Sequence, residues 1–223
     1  MATVTQYSAV NLIADAKVDP DRWSRVPDEA TIDRAVGAIE ARNVRVVRTA
    51  TADGARQTLL DLIPEGAEVM NGSSTTLNEI GYEQLLKENP KGWRDYHAVI
   101  TAENDDQKRE ALRRRGVAAD WFLSGVQAIA ATGELVGCDK TGSRVGAWPY
   151  SAGHLVLVSG VNKIAPTLDD ALARCWEYAL PVEQQRAKRV YGMSSEIGNI
   201  VILEEEMARD RVTLILIGES LGY

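Results

Sequence analysis

The chain has 223 residues, of which 45% are hydrophobic and 26% charged, and its formal net charge is −7. A chain of that size and composition buries about 70% of its unfolded surface around a core. This excludes a disordered tail or a fibre, and no apolar run approaches the roughly 20 residues of a membrane-spanning helix. An acidic surface also disfavours nucleic acid as a partner. The one basic cluster, Lys108–Arg115, is interrupted by Glu110 at helical spacing and reads as a solvated helix face.

Residues 1–27 read as an arm punctuated by Pro20 and Pro27. Asp28-Glu29 opens a helix whose Ile32, Ala35, Val36 and Ile39 share one face, and Val44–Val47 follows as a β-branched strand. Thr51 or Asp53 caps a second helix through Leu59, Leu62 and Ile63, stopped by Pro64 and Gly66. Ala67–Asn71 is the next strand, and a Gly-Ser-Thr turn leads into a helix through Leu77, Ile80, Leu85 and Leu86. His97–Thr101 reads as a short strand, Asp105–Arg115 as a charged helix, Trp121–Ser124 as a strand and Val126–Ala131 as a short helix. Glu134–Cys138 and Ser143–Ala147 read as the two arms of a hairpin turned at Asp139–Gly142. Leu155–Ser159 has the apolar character of a central parallel strand. A helix from Thr167 through Ala173, Trp176 and Leu180 is expected to stop at Pro181, and Ile200–Leu203 and Val212–Ile217 are the last strands. The alternation predicts an α/β fold, a mostly parallel sheet with flanking helices, and residues 28–223 read as one domain.

The two cysteines, Cys138 and Cys175, are too few for a disulfide framework or a four-thiolate zinc or iron–sulfur site. His97 and His154 have no carboxylate at ligand spacing and read as packing or surface residues. No metal or cofactor is therefore expected. The first residues lack a basic start followed by an apolar run, so a cytoplasmic location is the default expectation.

The segment Asn71-Gly72-Ser73-Ser74-Thr75-Thr76 follows a strand and enters a helix. Converging backbone amides and hydroxyls there suit a small anion, a carboxylate or a phosphate. The same hydroxyls would also serve as a plain helix cap, and both readings stand. Neither a Walker pattern nor GxGxxG is present. Two further turns follow probable strands: Thr132-Gly133-Glu134, and Gly160-Val161-Asn162-Lys163, where Lys163 would neutralise an anion or lie on the surface. Glu79, Glu134 and Glu219, each on or beside a turn, are the candidate acid–base groups. Ser73 or Ser74 as a nucleophile would need a base, and neither has a histidine near it in sequence. In the loop Trp148-Pro149-Tyr150, a packed anchor is preferred over a pocket rim.

Four segments in order, NGSSTTLNEIG, ADWFLSGVQAIAATGELVGCDKTGSRVG, GHLVLVSGVNKIAPTLDDALAR and RVTLILIGESLGY, resemble the LUD-domain (lactate-utilisation) family, in particular its short members of the protein C type. The resemblance runs from about Asp28 to Tyr223. It implies the fold shared by ribose-5-phosphate isomerase, glucosamine-phosphate deaminase and CoA-transferases. It also implies a non-redox part in oxidising L-lactate to pyruvate, beside iron–sulfur partner subunits. Many short members carry cysteines in the segment corresponding to Tyr191–Gly198, where this chain has none. In this reading Ser73, Ser74, Thr75 and Thr76 bind the anion, Lys163 supplies charge, and Glu134 and Glu219 frame the pocket. The alternatives are a stand-alone enzyme acting on a sugar phosphate or a CoA thioester, and a regulatory protein whose pocket binds without chemistry.

Overall fold

The computed structural model describes residues 8–223. Residues 1–7 of the expected arm lie outside the described residues; the rest of it carries two short helices, α1 (Ala9–Ala16) and α2 (Pro20–Trp23). The Asp28 carboxylate accepts from the Thr31 amide at 2.8 Å and starts α3 (Glu29–Ala41), which buries Ile32, Ala35 and Ile39. Strand β1 (Arg45–Thr49) follows, and Thr51 caps α4 (Ala52–Leu62). Strand β2 (Glu68–Asn71) leads to Ser74, which caps α5 (Thr75–Glu79). The helix expected as one piece breaks here, because Gly81 takes φ +78° and α6 (Tyr82–Glu88) begins on a new axis.

The expected strand at His97–Thr101 is a helix. Strand β3 is only Arg94–Asp95, and the Asp95 carboxylate accepts from the amides of His97 and Ala98, so the cap starts α7 (Tyr96–Ala102) despite the β-branched residues. Helix α8 (Asp106–Gly116) and strand β4 (Trp121–Gly125) follow as expected. The expected helix at Val126–Ala131 is instead strand β5 (Ala128–Ala130), since these small residues are claimed by pairing with neighbouring strands. Strand β6 is Leu135–Asp139. Its hairpin partner is β5, and the expected return strand Ser143–Ala147 is a loop with a 3₁₀ turn at Val145–Ala147. The Asp139 carboxylate causes this by accepting from the amides of Gly142, Arg144 and Val145, which curls the chain.

Strand β7 (His154–Gly160) ends in a 3₁₀ turn, Val161–Lys163, before β8 (Ile164–Ala165). Helix α9 (Leu168–Arg174) does not stop at Pro181. A π-helical turn at Cys175–Ala179 widens the backbone, and the chain continues as α10 (Leu180–Tyr191) with the proline in its first turn, where its missing N–H and its ring are tolerated. Strands β9 (Asn199–Leu203) and β10 (Val212–Ile217) complete the chain.

Six strands form a fully parallel sheet in the order β1-β10-β7-β4-β2-β3. A second sheet, β8-β5-β6-β9, is mixed and grows from the chain leaving the carboxyl ends of β4 and β7. Side-chain alternation splits the core. Phe122, Leu155, Leu157, Leu214 and Leu216 face α3, Trp148 and the small sheet's Ile129, Leu135 and Leu203. Leu123, Val156, Val158, Ile215 and Ile217 face α4, α5 and α6. Trp148 is fully buried and donates its indole N–H to Ser124 Oγ at 3.2 Å, which makes the loop it sits on a packed anchor; Tyr150 is exposed. Among the described residues no helix is long and apolar enough to cross a membrane.

Candidate functional site

Strands β2, β4 and β7 are neighbours and run in the same direction, so the turns after their carboxyl ends meet. These turns are Asn71–Ser74, Gly125–Gln127 and Val161–Lys163. They form one wall of a cleft of about 480 Å³. The opposite wall comes from the end of β6, the Lys140–Arg144 loop, the start of α10 and the segment Met193–Ile197, with Tyr223 at the side.

The main feature of this region is buried positive charge. Lys163 is 2% exposed and donates from Nζ to Thr76 Oγ1 at 2.8 Å and to the Val126 carbonyl at 3.0 Å. Arg144 is 8% exposed and donates to Ser124 Oγ at 3.1 Å, the Gly125 carbonyl at 2.8 Å, Gln127 Oε1 at 3.0 Å and the Cys138 carbonyl. Behind them Arg174 is 1% exposed and donates to the carbonyls of Trp23 and Gln127; one of its terminal nitrogens is buried without a partner. All of these acceptors are neutral. No carboxylate of the described residues lies within 4.0 Å of any of the three cations, although the chain as a whole is acidic. A buried charge left uncompensated is costly, and an anion in the cleft would offset that cost. Burial, followed by the charge of Arg174, pushes the Lys163 amine down to about 7; Glu79 pulls the other way, and Arg144 adds to the depression.

Of the residues singled out from sequence, Asn71, Gly72, Ser73, Ser74, Thr75, Thr76 and Lys163 line the cleft together. Ser74 also caps α5 through the Leu77 amide at 3.3 Å, so cap and wall are the same residue. Helix α5 has only five residues, and positive charge in the cleft comes from side chains rather than from a helix dipole. Thr132, Gly133 and Glu134 lie at the β5–β6 turn, where Glu134 accepts from Arg42 at 2.6 Å and from the Thr132 hydroxyl at 2.5 Å. Asn162 is buried and ties the Leu221 amide at 3.1 Å to Ser24 Oγ at 2.9 Å. Glu79 accepts from the amides of Ala9 and Gly222, both at 2.7 Å, and Glu219 accepts from the Ala52 amide at the start of α4 at 2.9 Å. None of these last six residues lines the cleft.

Sequence reasoning passed over Arg144, Gln127, Glu183 and Arg186. Arg144 sits in the DKTGSR loop read as a hairpin arm, and only the Asp139-centred turn shows why it points inward. Glu183 and Arg186 form a bidentate pair at 2.6 and 2.7 Å, and Glu183 also accepts from the Tyr223 hydroxyl at 2.5 Å. Their i, i+3 spacing on α10 was the available signal. Met193–Ile197 lies on the cleft wall. Cys138, also on that wall, shares a hydrogen bond with Cys175. That bond, helped by Arg144 and opposed by burial, lowers the Cys138 thiol; the same bond and burial raise Cys175. His97 lines the cleft and His154 stacks on Trp121 with ring centroids 4.1 Å apart. Among the described residues no three His, Cys, Asp or Glu side chains gather in a group that could hold a metal ion.

Comparison with known proteins adds to this geometry. The model of the LUD domain family matches residues 32–217. Among solved structures, a DUF162 family protein from Deinococcus radiodurans is similar over 85% of this chain and 97% of its own, with a TM-score of 0.51 and 9% sequence identity. Ribose 5-phosphate isomerase from Plasmodium falciparum is similar over 52% of each chain, with a TM-score of 0.31 and 12% identity. No curated protein matches the sequence.

Proposed function

Because the chain belongs to the LUD domain family, we propose that it is a non-redox component of L-lactate utilisation that holds a small carboxylate in the cleft beyond β2, β4 and β7. Electron transfer in this reading belongs to iron–sulfur partner subunits. The observation that carries the proposal is the set of three buried cations, Arg144, Lys163 and Arg174, bonded only to neutral acceptors, with Arg144 and Lys163 packed against the Asn71–Thr76 turn. Arg144 and Arg174 supply the field, Lys163 sets its amine at the wall, and the Ser73–Thr76 hydroxyls supply polar contacts. A two- or three-carbon carboxylate fills only part of the cleft, which leaves room for a partner subunit to complete the site.

The test is thermal stability of the purified protein against lactate, pyruvate, phosphate, ribose 5-phosphate and coenzyme A. At a hundredfold excess over its dissociation constant a ligand stabilises by about 2.7 kcal/mol. Lactate and pyruvate are expected to raise the melting temperature and phosphate to do so less. Gly72→Ala should blunt the response, because a methyl there would lie 2.4 Å from Cγ and Cδ of Arg144. A response confined to ribose 5-phosphate or coenzyme A would replace the reading with that of a stand-alone enzyme, and silence throughout would overturn it.

A further inference from the structure

Lys163 is more than a source of charge. Its Nζ is fully buried, it has no carboxylate in ion-pair range among the described residues, and it lies at the wall of a cleft. A structural lysine is normally paired with an acid or snorkels to water. This one is instead buried with two further cations, and its burial first, then the charges of Arg174 and Arg144, outweigh the opposing pull of Glu79, work against protonation and leave the nitrogen lone pair available. Thr76 Oγ1, 2.8 Å from Nζ, can pass a proton between nitrogen and an adjacent oxygen, and the Val126 carbonyl at 3.0 Å fixes the direction of the amine. The Gly222 backbone packs directly over the pair: a Cβ there would sit 2.9 Å from Nζ, so the strap of residues 221–223 shields the amine from bulk water.

We propose that Lys163 is a covalent capture site for a 2-oxo acid, resting on the reading above that the cleft holds a small carboxylate. Nζ attacks the carbonyl carbon and forms a C–N bond. The proton leaving nitrogen reaches the carbonyl oxygen through the Thr76 hydroxyl, which gives a carbinolamine. Departure of that oxygen as water leaves an imine between Nζ and C2. The step consumes no oxidant or reductant, and water is its only by-product. The field of Arg144 and Arg174 attracts the carboxylate and keeps the amine nucleophilic. A 2-hydroxy acid of the same charge binds without reacting, because it offers no electrophilic carbon.

Purified protein is incubated with pyruvate and sodium cyanoborohydride, followed by intact-mass measurement and peptide mapping. One reduced adduct per chain is expected, on Lys163, and none in Lys163→Arg or Lys163→Met. Thr76→Val retains Lys163 and its bond to the Val126 carbonyl but removes the hydroxyl relay, and is expected to slow trapping about tenfold or more, so the proposal does not depend on the lysine variants folding well. Lactate should compete with pyruvate and leave no adduct. Propanal, a carbonyl without the carboxylate, should label Lys163 more slowly and escape that competition. If pyruvate stabilises the protein but reduction leaves Lys163 unmodified, the imine is overturned and the carboxylate reading survives. If propanal labels Lys163 while pyruvate neither binds nor labels, the carboxylate reading fails, and the 2-oxo acid with it. Labelling spread over surface lysines overturns the proposal as well.

Discussion

Lys163 spends its whole side chain inside the protein to bring one amine against Thr76 and Val126. In sequence it is a lysine after an apolar strand, equally suited to a surface cap or to an anion. Its burial depends on Thr76, 87 positions away, and on the strap at Gly222, and no local pattern records either. The consequence for stability has a definite sign. The amine is held at about 7 in the folded protein, whereas in the unfolded chain it titrates near its ordinary value of 10.5. Between those two values the unfolded state binds more protons, so stability rises with pH across this window and levels off above it. The slope for one such group is at most about 1.4 kcal/mol per pH unit. Urea unfolding of the wild type and Lys163→Met at a series of pH values isolates the contribution. The difference between the two should grow in favour of the wild type from pH 7 upward. A difference that stays flat would mean that the lysine is charged throughout.

At the scale of elements, the long apolar strands β7 and β10 and the capped helices α3, α4 and α8 were legible, because each carries its own periodicity and stop signals. The shortest strands, β3, β5 and β8, were not. Ala128–Ala130 has the composition of a helix and becomes a strand only because β6 and β8 are there to pair with it. The turn that makes this possible is Ala131–Glu134. Gly133 takes φ +110°, and a Cβ on it would lie 2.7 Å from the Ala38 carbonyl oxygen of α3, which belongs to backbone and cannot step aside. Gly133→Ala is therefore expected to cost about 2–4 kcal/mol, the sum of an unfavourable backbone region and an overpacked contact. The loss should appear in the midpoint of urea unfolding at unchanged slope. A cost under about 0.5 kcal/mol, the size of an ordinary surface substitution, would show that the hairpin is free to move away from α3. The same turn holds the Arg42–Glu134 pair, so Thr132, Gly133 and Glu134 act together in fixing the small sheet to the helix layer.

For the whole molecule, family membership was legible because four separated segments keep their order, whereas the cation cluster was not, since Arg144, Lys163 and Arg174 come from three elements joined only by the fold. The carboxyl edge of the large sheet is where distant parts of the chain are tied together. Glu79 grips the amides of Ala9 and Gly222, while Asn162 grips the Leu221 amide and Ser24. Both residues thus hold the same two segments, the helices before α3 and the strap over Lys163. Substituting either partner leaves backbone amides buried and loosens the strap, at a cost of about 1–3 kcal/mol each. Once one tie is cut, the strap moves and the other tie has less to hold, so the costs should not add. A double-mutant cycle on Glu79→Gln and Asn162→Ala is expected to leave the double variant less destabilised than the sum, by about 0.5–3 kcal/mol. The double variant should also lose part of the stability gain above pH 7, because water reaching Lys163 restores its ordinary titration. Strict additivity with an intact pH dependence would mean that the strap is held mainly by Tyr223 and Glu183 on the far side of the cleft, and that shielding of the amine comes from the cleft walls alone.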